Sequence, residues 1–488
     1  MSGATALSVT FLFHDYETFG ADPRRDRPSQ FAAIRTDDQF NEIGEPEVLY
    51  CRQSDDYLPQ PVACLLTGIT PQQASRRGLP ETEFAGRILE MMQQGNTCTL
   101  GYNSLRFDDE VTRHLFYRNF IDPYAREWQN GNSRWDLIDA VRAFYALRPE
   151  GIEWPMREDG SPSFKLEKLS VANGIEHGDA HDALADVRAT IELAKLLRAR
   201  NEKLFDYLLG LRDKRRVASL LDINTRKPML HVSRRYPASR GCSALIAPLA
   251  MHPTNPNGVI VVDLAMDPTP LFELSPEAIA ERVFASADEL AEGTTRIPLK
   301  VIHLNRSPVL MPIKAVDDAV AERLGIDREA AERHWQQLAG SADIATRVAQ
   351  AFSAAPPEPP ADPDLMLYSG GFFSNSDKRE MGRIRQAPIE TLEALKPSFQ
   401  DPRLEEMFFR YKARNYPEVL TSQERTRWES DRWERLNDPK VAAMTLTGFA
   451  REIERINGEL GHMSDLERQC IEELVMHVEA MMPPQAFG

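Results

Sequence analysis

The sequence predicts three folded parts in series: an α/β domain, a small β-barrel domain with added helices, and a C-terminal helical domain. Three observations carry this reading. Residues 8–200 alternate strand-like apolar runs with amphipathic helix patterns. Residues 201–354 change to short β-rich segments separated by Pro- and Asn-containing turns. A stiff run, Ala354-Ala355-Pro356-Pro357-Glu358-Pro359-Pro360-Ala361-Asp362-Pro363, then places a linker at 355–364 ahead of residues 365–482, which read as helices. Length agrees, because 488 residues are too many for one core.

In chain order, Ser8-Val9-Thr10-Phe11-Leu12-Phe13 reads as a strand covered on both faces. Strands are expected at 31–35 and 47–51, joined by a polar turn, which suggests a mixed sheet. Thr70 before Pro71 is a good helix start, and Phe84, Ile88, Leu89 and Met92 make one face of a helix over 81–94. A strand and turn at 97–103 lead to Phe107-Asp108-Asp109-Glu110 and a further helix. Helices follow at 135–147, 165–172 and 183–198. In the second part strands are expected at 229–232, 243–247, 258–262 and 299–303, with helices at 276–292 and 329–352. The last part carries long helices at 447–460 and 465–481.

Composition is that of an ordinary soluble globular protein, 42% hydrophobic and 27% charged. No apolar run approaches a bilayer span, and the N-terminus lacks the pattern of a signal peptide. Five scattered cysteines without a CxxC pair fit reduced thiols in a cytoplasm and argue against structural zinc. The net charge of −16 argues against nucleic acid only at face value, since it does not locate charge. Basic runs such as Arg212-Asp213-Lys214-Arg215-Arg216 remain available to line one groove.

The chemistry starts at His14-Asp15-Tyr16-Glu17, where the first strand ends. Alternation puts Asp15 and Glu17 on one side, roughly 7 Å apart along the chain. Two carboxylates on a buried strand end are costly unless a cation lies between them, and a divalent metal is the usual answer. Asp108 falls at a helix start after a strand, where α/β proteins place their chemistry. Further on, His181 precedes a helix and Asp186 lies about one turn inside it. The ordered set is thus D-x-E, D, H-x4-D within one domain.

That set resembles the histidine branch of the DEDD superfamily of 3′–5′ exonucleases, on its ribonuclease-H-like fold. Longer stretches resemble the bacterial exonuclease I family over essentially the full length: His14-Asp15-Tyr16-Glu17-Thr18-Phe19-Gly20, Arg106-Phe107-Asp108-Asp109-Glu110, Asn132-Ser133-Arg134-Trp135-Asp136-Leu137, Gly371-Phe372-Phe373-Ser374 and Phe409-Arg410-Tyr411-Lys412-Ala413-Arg414-Asn415-Tyr416-Pro417. The resemblance implies an exonuclease domain over 8–200, an SH3-like domain over 201–354 and a C-terminal helical domain over 365–482. It also implies a magnesium-dependent enzyme that degrades single-stranded DNA processively to 5′ mononucleotides, in repair and recombination.

On this resemblance two Mg2+ ions, for which Mn2+ can substitute, would be held by Asp15, Glu17, Asp108 and Asp186. His181 would accept the proton of the attacking water. Substrate contacts would come from Glu17, Arg113, Tyr124, Trp128, Arg142 and Lys165, the last standing where arginine is expected, so charge is kept but bidentate geometry is lost. Lys214, Asn257, Lys300, His303 and Tyr368 are weaker channel candidates. The family also implies a partner, the acidic, apolar-ended C-terminal tail of single-stranded DNA-binding protein, with Arg148 and Tyr207 as candidate contacts. The expected setting is a monomer in the bacterial cytoplasm, associated with the nucleoid.

Two alternatives stay open on the residues alone. One is another histidine-type DEDD enzyme that trims RNA or proofreads for a polymerase. The other is a non-catalytic nucleic-acid-binding protein on a degenerate nuclease fold.

Overall fold

The computed structural model describes residues 9–176, 178, 182–286, 289–290, 293–353, 358–459 and 463–482. They gather into two compact units. One comprises Met1–Ser133, Gly178–Arg188 and Glu358–Gly488; the other comprises Arg134–His177 and Ala189–Pro357. The last stretch of chain therefore packs with the first.

The first unit is built around β1 (Thr10–Thr18), with β2 (Pro28–Thr36), β3 (Glu47–Tyr50), the helices α1 (Pro61–Thr67), α2 (Pro71–Arg77) and α3 (Glu81–Met92), then β4 (Thr97–Gly101) and α4 (Asp108–Arg118). Its strands lie in the order β3-β2-β1-β4. β1 pairs antiparallel with β2, from Phe11 opposite Thr36 to Glu17 opposite Gln30, and parallel with β4. Both faces of β1 are covered, which explains its nearly unbroken apolar start. Leu12 and Tyr16 join Phe31, Phe84, Ile88, Val111 and Leu115 under α3 and α4. Phe11 and Phe13 pack on Phe40 at 5.2 and 5.6 Å between rings. That face then changes character, because the next side chains on it belong to Asp15 and Glu17.

At the end of β4 the chain passes so close to β1 that a Cβ on Gly101 would lie 2.6 Å from the His14 carbonyl oxygen. Only glycine fits this crossing. Beyond it the loop turns through Asn103, at φ +65°, and delivers Asp108 to the first turn of α4.

The C-terminal part of this unit contains helices Asn375–Gln386, Arg403–Asn415, Ser422–Asn437, Leu446–Glu459 and Asp465–Met481. Cys64 and Ile69 around α1 share a core with Ile471, Leu474 and Val478. A buried lattice of opposite charges ties the early chain to the late one. Arg414 reaches Asp56 at 2.7 Å and Asp364 at 2.6 Å, and Arg410 reaches Asp362 at 2.6 Å. Arg435 joins both Asp56 and Asp362.

β5 (Ser133–Asp136) begins at the boundary between the units. The second unit continues with α5 (Leu137–Leu147) and α6 (Leu166–Ala172), receives most of α7 (Ala183–Arg200), and adds α8 (Glu202–Gly210) and α9 (Lys214–Leu220). Its own sheet is antiparallel. β6 (Met229–Val232), β7 (Ser243–Met251), β8 (Gly258–Asp263), β9 (Leu299–His303) and β10 (Val309–Pro312) are arranged β10-β6-β7-β8-β9.

Four local expectations are corrected. The helix expected from residue 135 starts at Leu137, because Asp136 caps it by accepting from the Ile138 N–H at 3.1 Å and Trp135 lies in β5. The helix expected over 276–292 ends at Phe284. The one expected over 329–352 is two helices, Arg328–Ala339 and Ile344–Ala351, interrupted after Gly340. β10 went unread, being short and closed by Pro312. Residues 355–357 of the expected linker lie outside the described residues.

All five cysteines are free and buried. Among the described residues no helix is long and apolar enough to cross a membrane.

Candidate active site

Asp15 and Glu17 from β1 and Asp186 from the first turns of α7 meet, each offering a carboxylate oxygen within 4.8 Å of the others. Asp108 stands beside them. Its Oδ1 accepts the Tyr16 backbone N–H at 3.1 Å, so the strand carrying two of the acids also orients the third. The Thr112 hydroxyl, one turn along α4, lies 2.8 Å from the Asp108 carbonyl oxygen and 3.0 Å from the Tyr16 hydroxyl.

The electrostatics of this cluster are those of like charges held together. Burial, then the neighbouring Asp108, Glu17 and Asp186, raise the Asp15 carboxyl well above its usual range. Burial, then Asp186, Asp108 and Asp182, push Glu17 up to about 8. The Tyr16 backbone N–H pulls the other way on Asp15, but burial and the neighbouring carboxylates outweigh it. The donor set is all carboxylate oxygen, which suits a hard divalent cation that keeps waters, not zinc held by sulfur and imidazole. The residues therefore fit magnesium.

Beneath the site the Arg126 guanidinium, fully buried, donates to Asp109 at 2.5 Å and to the Thr99 hydroxyl at 3.2 Å. His14, on the same side as Tyr16, stacks on Phe31 at 5.9 Å. Burial and then Arg126 lower its pKa to about 4, so it stays neutral.

His181, the expected proton acceptor, lies outside the described residues. Its neighbour Asp182 is described, and so is a residue that sequence reasoning missed. Gln30, buried on β2 opposite Glu17, donates to Asp182 Oδ1 at 3.2 Å and accepts the Ala183 N–H at 3.3 Å. One amide side chain thus holds the start of α7 against β2, at the position that faces Glu17. Only the β1–β2 register could have revealed it.

Around α4 the expected substrate residues form a bracket. Arg113 is buried, with Nε and Nη2 on the two oxygens of Glu127 at 2.7 and 3.0 Å and Nη1 on Glu110 at 2.8 Å. Nη1 also donates to the Tyr368 hydroxyl at 3.1 Å, and the guanidinium lies 5.4 Å from the centre of the Tyr124 ring. Arg113 was expected to meet phosphate as an open cation. Its paired guanidinium instead braces Tyr124 and Tyr368, two aromatics from distant parts of the chain. Trp128 differs, since two-thirds of it faces solvent.

The other expected contacts belong to the second unit. Arg142 is buried and paired with Asp139 at 2.6 Å. Lys165 is exposed just ahead of α6, and Lys214 is the first residue of α9. Lys300 Nζ lies 2.8 Å from His231 Nε2 and 4.9 Å from the centre of the Tyr236 ring. His231 Nδ1 meets the Val309 carbonyl, so Nδ1 carries the proton and Nε2 accepts from lysine. His303 Nδ1 is 3.4 Å from the Asn255 amide nitrogen, while Asn257 shapes the adjoining turn through its backbone. Arg148 is exposed at the end of α5. Tyr207 on α8 donates to the Leu310 carbonyl at 2.9 Å, with Arg216 stacked 4.7 Å over its ring.

Comparison with known proteins places these residues in context. Residues 12–194 match a family described as exonuclease, residues 212–354 the exonuclease I SH3-like domain, and residues 361–481 the exonuclease I C-terminal domain. Exodeoxyribonuclease I of Escherichia coli K12 is 49% identical over 448 residues, covering 92% of this chain and 93% of its own. A moderately thermophilic exonuclease I from Methylocaldum szegediense superposes with a TM-score of 0.93 at 47% identity, covering 97% of this chain and all of the other. The zinc-bound form of the E. coli exonuclease I complex with single-stranded DNA superposes with a TM-score of 0.91 at 45% identity, covering 97% of this chain and 99% of that one.

Proposed function

The chain belongs to the exonuclease I family, and from that premise we propose that it is a magnesium-dependent 3′–5′ exodeoxyribonuclease acting on single-stranded DNA. The observation that carries the reading is the meeting of Asp15, Glu17 and Asp186 within 4.8 Å, with Asp108 oriented beside them. Two magnesium ions bound there would supply a nucleophile at neutral pH and stabilise charge at both ends of an in-line displacement.

The protein's own groups do the rest. Asp15, Glu17, Asp108 and Asp186 hold the cations, and the Tyr16 N–H keeps Asp108 in register with β1. His181 accepts the proton of the attacking water, from a segment whose far end Gln30 fixes. Tyr124, Trp128 and Tyr368 offer ring faces, on which bases stack without regard to sequence. Arg113 positions two of them. Lys165, Lys214, Lys300, Arg142, Asn257 and His303 add further contacts to the strand, and successive 5′ mononucleotides leave without release of the chain.

We assign the exonuclease, SH3-like and helical domains to residues 8–200, 201–354 and 365–482. The partner surface for the acidic tail of single-stranded DNA-binding protein includes Arg148 and Tyr207, where Arg216 adds a second cation. The setting is DNA repair and recombination in the cytoplasm. Digestion of 3′- and 5′-labelled single strands, with and without magnesium, tests the reading. Mononucleotide release from the 3′ end of DNA supports it, and a clear preference for RNA overturns it.

A further inference from the structure

Outside the acidic cluster, a cavity of about 200 Å³ opens between α4 and the helix Asn375–Gln386. Tyr117, Phe120, Tyr124, Phe372, Phe373 and Met381 form its walls. The aromatic rings are ordered by one another. Phe373 stacks on Tyr117 at 5.7 Å with the planes 8° apart, and Phe372 meets Tyr124 edge to face at 5.9 Å. Gly371, at φ +76°, turns the chain so that Phe373 points inward while Phe372 stands at the rim, 85% exposed. A large aromatic ring left in water at the mouth of an aromatic cleft gives up burial that the fold could have provided.

Two cations border the cleft. Lys378 is matched by Asp122 at 3.1 Å, whereas Arg385 has no carboxylate partner among the described residues. Aromatic walls and one uncompensated guanidinium fit a planar base attached to a phosphate. The cleft is also continuous with the substrate bracket, because Tyr124 is both a wall of the cavity and the ring under Arg113. Arg113 in turn lies on α4, whose first residue is Asp108.

We propose that this cleft is a nucleotide subsite for the single-stranded DNA substrate, in which one base stacks on the exposed ring of Phe372 at the mouth while Arg385 meets its phosphate. The proposal rests on the exodeoxyribonuclease reading and adds a fixed holding point at a set distance from the 3′ end. Because one base is held at Phe372, strand binding should include a dependence on that base that the other stacking rings do not supply.

The test uses the full-length Asp15→Asn protein, so that the strand is not consumed, and oligonucleotides carrying a single abasic position moved stepwise from the 3′ end. One position should weaken binding about tenfold, and Phe372→Ala should erase that dependence while leaving the rest of the profile unchanged. Arg385→Gln should lower the slope of log affinity against log salt by about 0.7, one phosphate contact on a single strand. Phe372 lies at the surface, so its removal does not threaten the fold. A flat abasic profile, or a profile unaltered by Phe372→Ala, overturns the subsite while leaving the nuclease reading intact. Loss of free 5′-dAMP binding in Phe372→Ala, with the strand profile flat, would give the cleft to released product and also overturn it. Failure of the protein to bind any single strand would instead remove the underlying reading.

Discussion

The hydroxyl of Tyr368 donates to Oε2 of Glu110 at 2.5 Å, joining residues 258 positions apart in sequence. Glu110 also accepts from Arg113, so one carboxylate holds an aromatic contact and its brace together, two residues beyond Asp108. Tyr368→Phe and Glu110→Gln should each raise the KM for single-stranded DNA several-fold with a smaller effect on kcat. Their combination should be far from additive, since both act on the one hydrogen bond: the first removes its donor and the second takes the charge from its acceptor. Steady-state kinetics on an oligonucleotide series measures this, and strict additivity would show that the two residues act separately.

Replacement of Asp15 by Asn should abolish magnesium-dependent nucleotide release, by about a thousand-fold or more, while strand binding survives. The same change should stabilise the metal-free protein by about 1 kcal/mol, because it removes one charge from a cluster whose members raise each other. Magnesium should raise the Tm of the wild type and not that of the variant. Thermal unfolding with and without magnesium checks both statements.

Gln30→Ala should reduce kcat about tenfold with little change in KM, because it frees the start of α7 beside His181 without touching a strand contact. Gln30→Glu should be worse, since it places another negative charge opposite Glu17. Hydrogen exchange at Ala183 should quicken in both variants, which a loss of general stability alone would not confine to that site.

Acid should loosen the first unit through its buried carboxylates. Burial alone would raise Glu81, yet Arg118 and Arg27 outweigh it and hold the carboxyl at about 2. Asp56 and Asp364 are held down against burial in the same way, with Arg414 as the leading cation for each. A folded-state pKa below the unfolded value gives stability that is complete above about 4.5 and is lost as the pH falls towards 2. The Tm should therefore drop between about pH 5 and pH 3. Asp56→Asn should cost about 3 kcal/mol at neutral pH and flatten that drop.

The four carboxylates proposed as metal ligands were legible in the sequence because each sits where a strand or helix terminus announces itself. Asp15 and Glu17 follow an apolar run, Asp108 opens a helix after a strand, and Asp186 falls a turn into the next. Gln30 and Glu110 were not legible. Their roles depend on which residue a strand faces across the sheet and on a tyrosine far along the chain, and neither is a property of local pattern. Arg113 was read as a phosphate contact from its charge, but charge does not report the two carboxylates that fold around it. The break after Gly340 and the strand ending in Pro312 were missed because periodicity blurs over such short elements.

The lattice of Asp56, Asp362, Asp364, Arg410, Arg414 and Arg435 joins the opening stretch of the chain to its closing one. A ribosome delivers residue 56 long before residue 435. The nascent chain therefore leaves Asp56 without its cations, and α1 without Ile471 and Leu474, until synthesis is nearly complete. Chains halted at residue 357 are expected to be cut readily by protease around α1, and full-length chains to resist. Tyr368 arrives in the same late stretch, so Arg113 and Glu110 gain their shared tyrosine only once that stretch has been made.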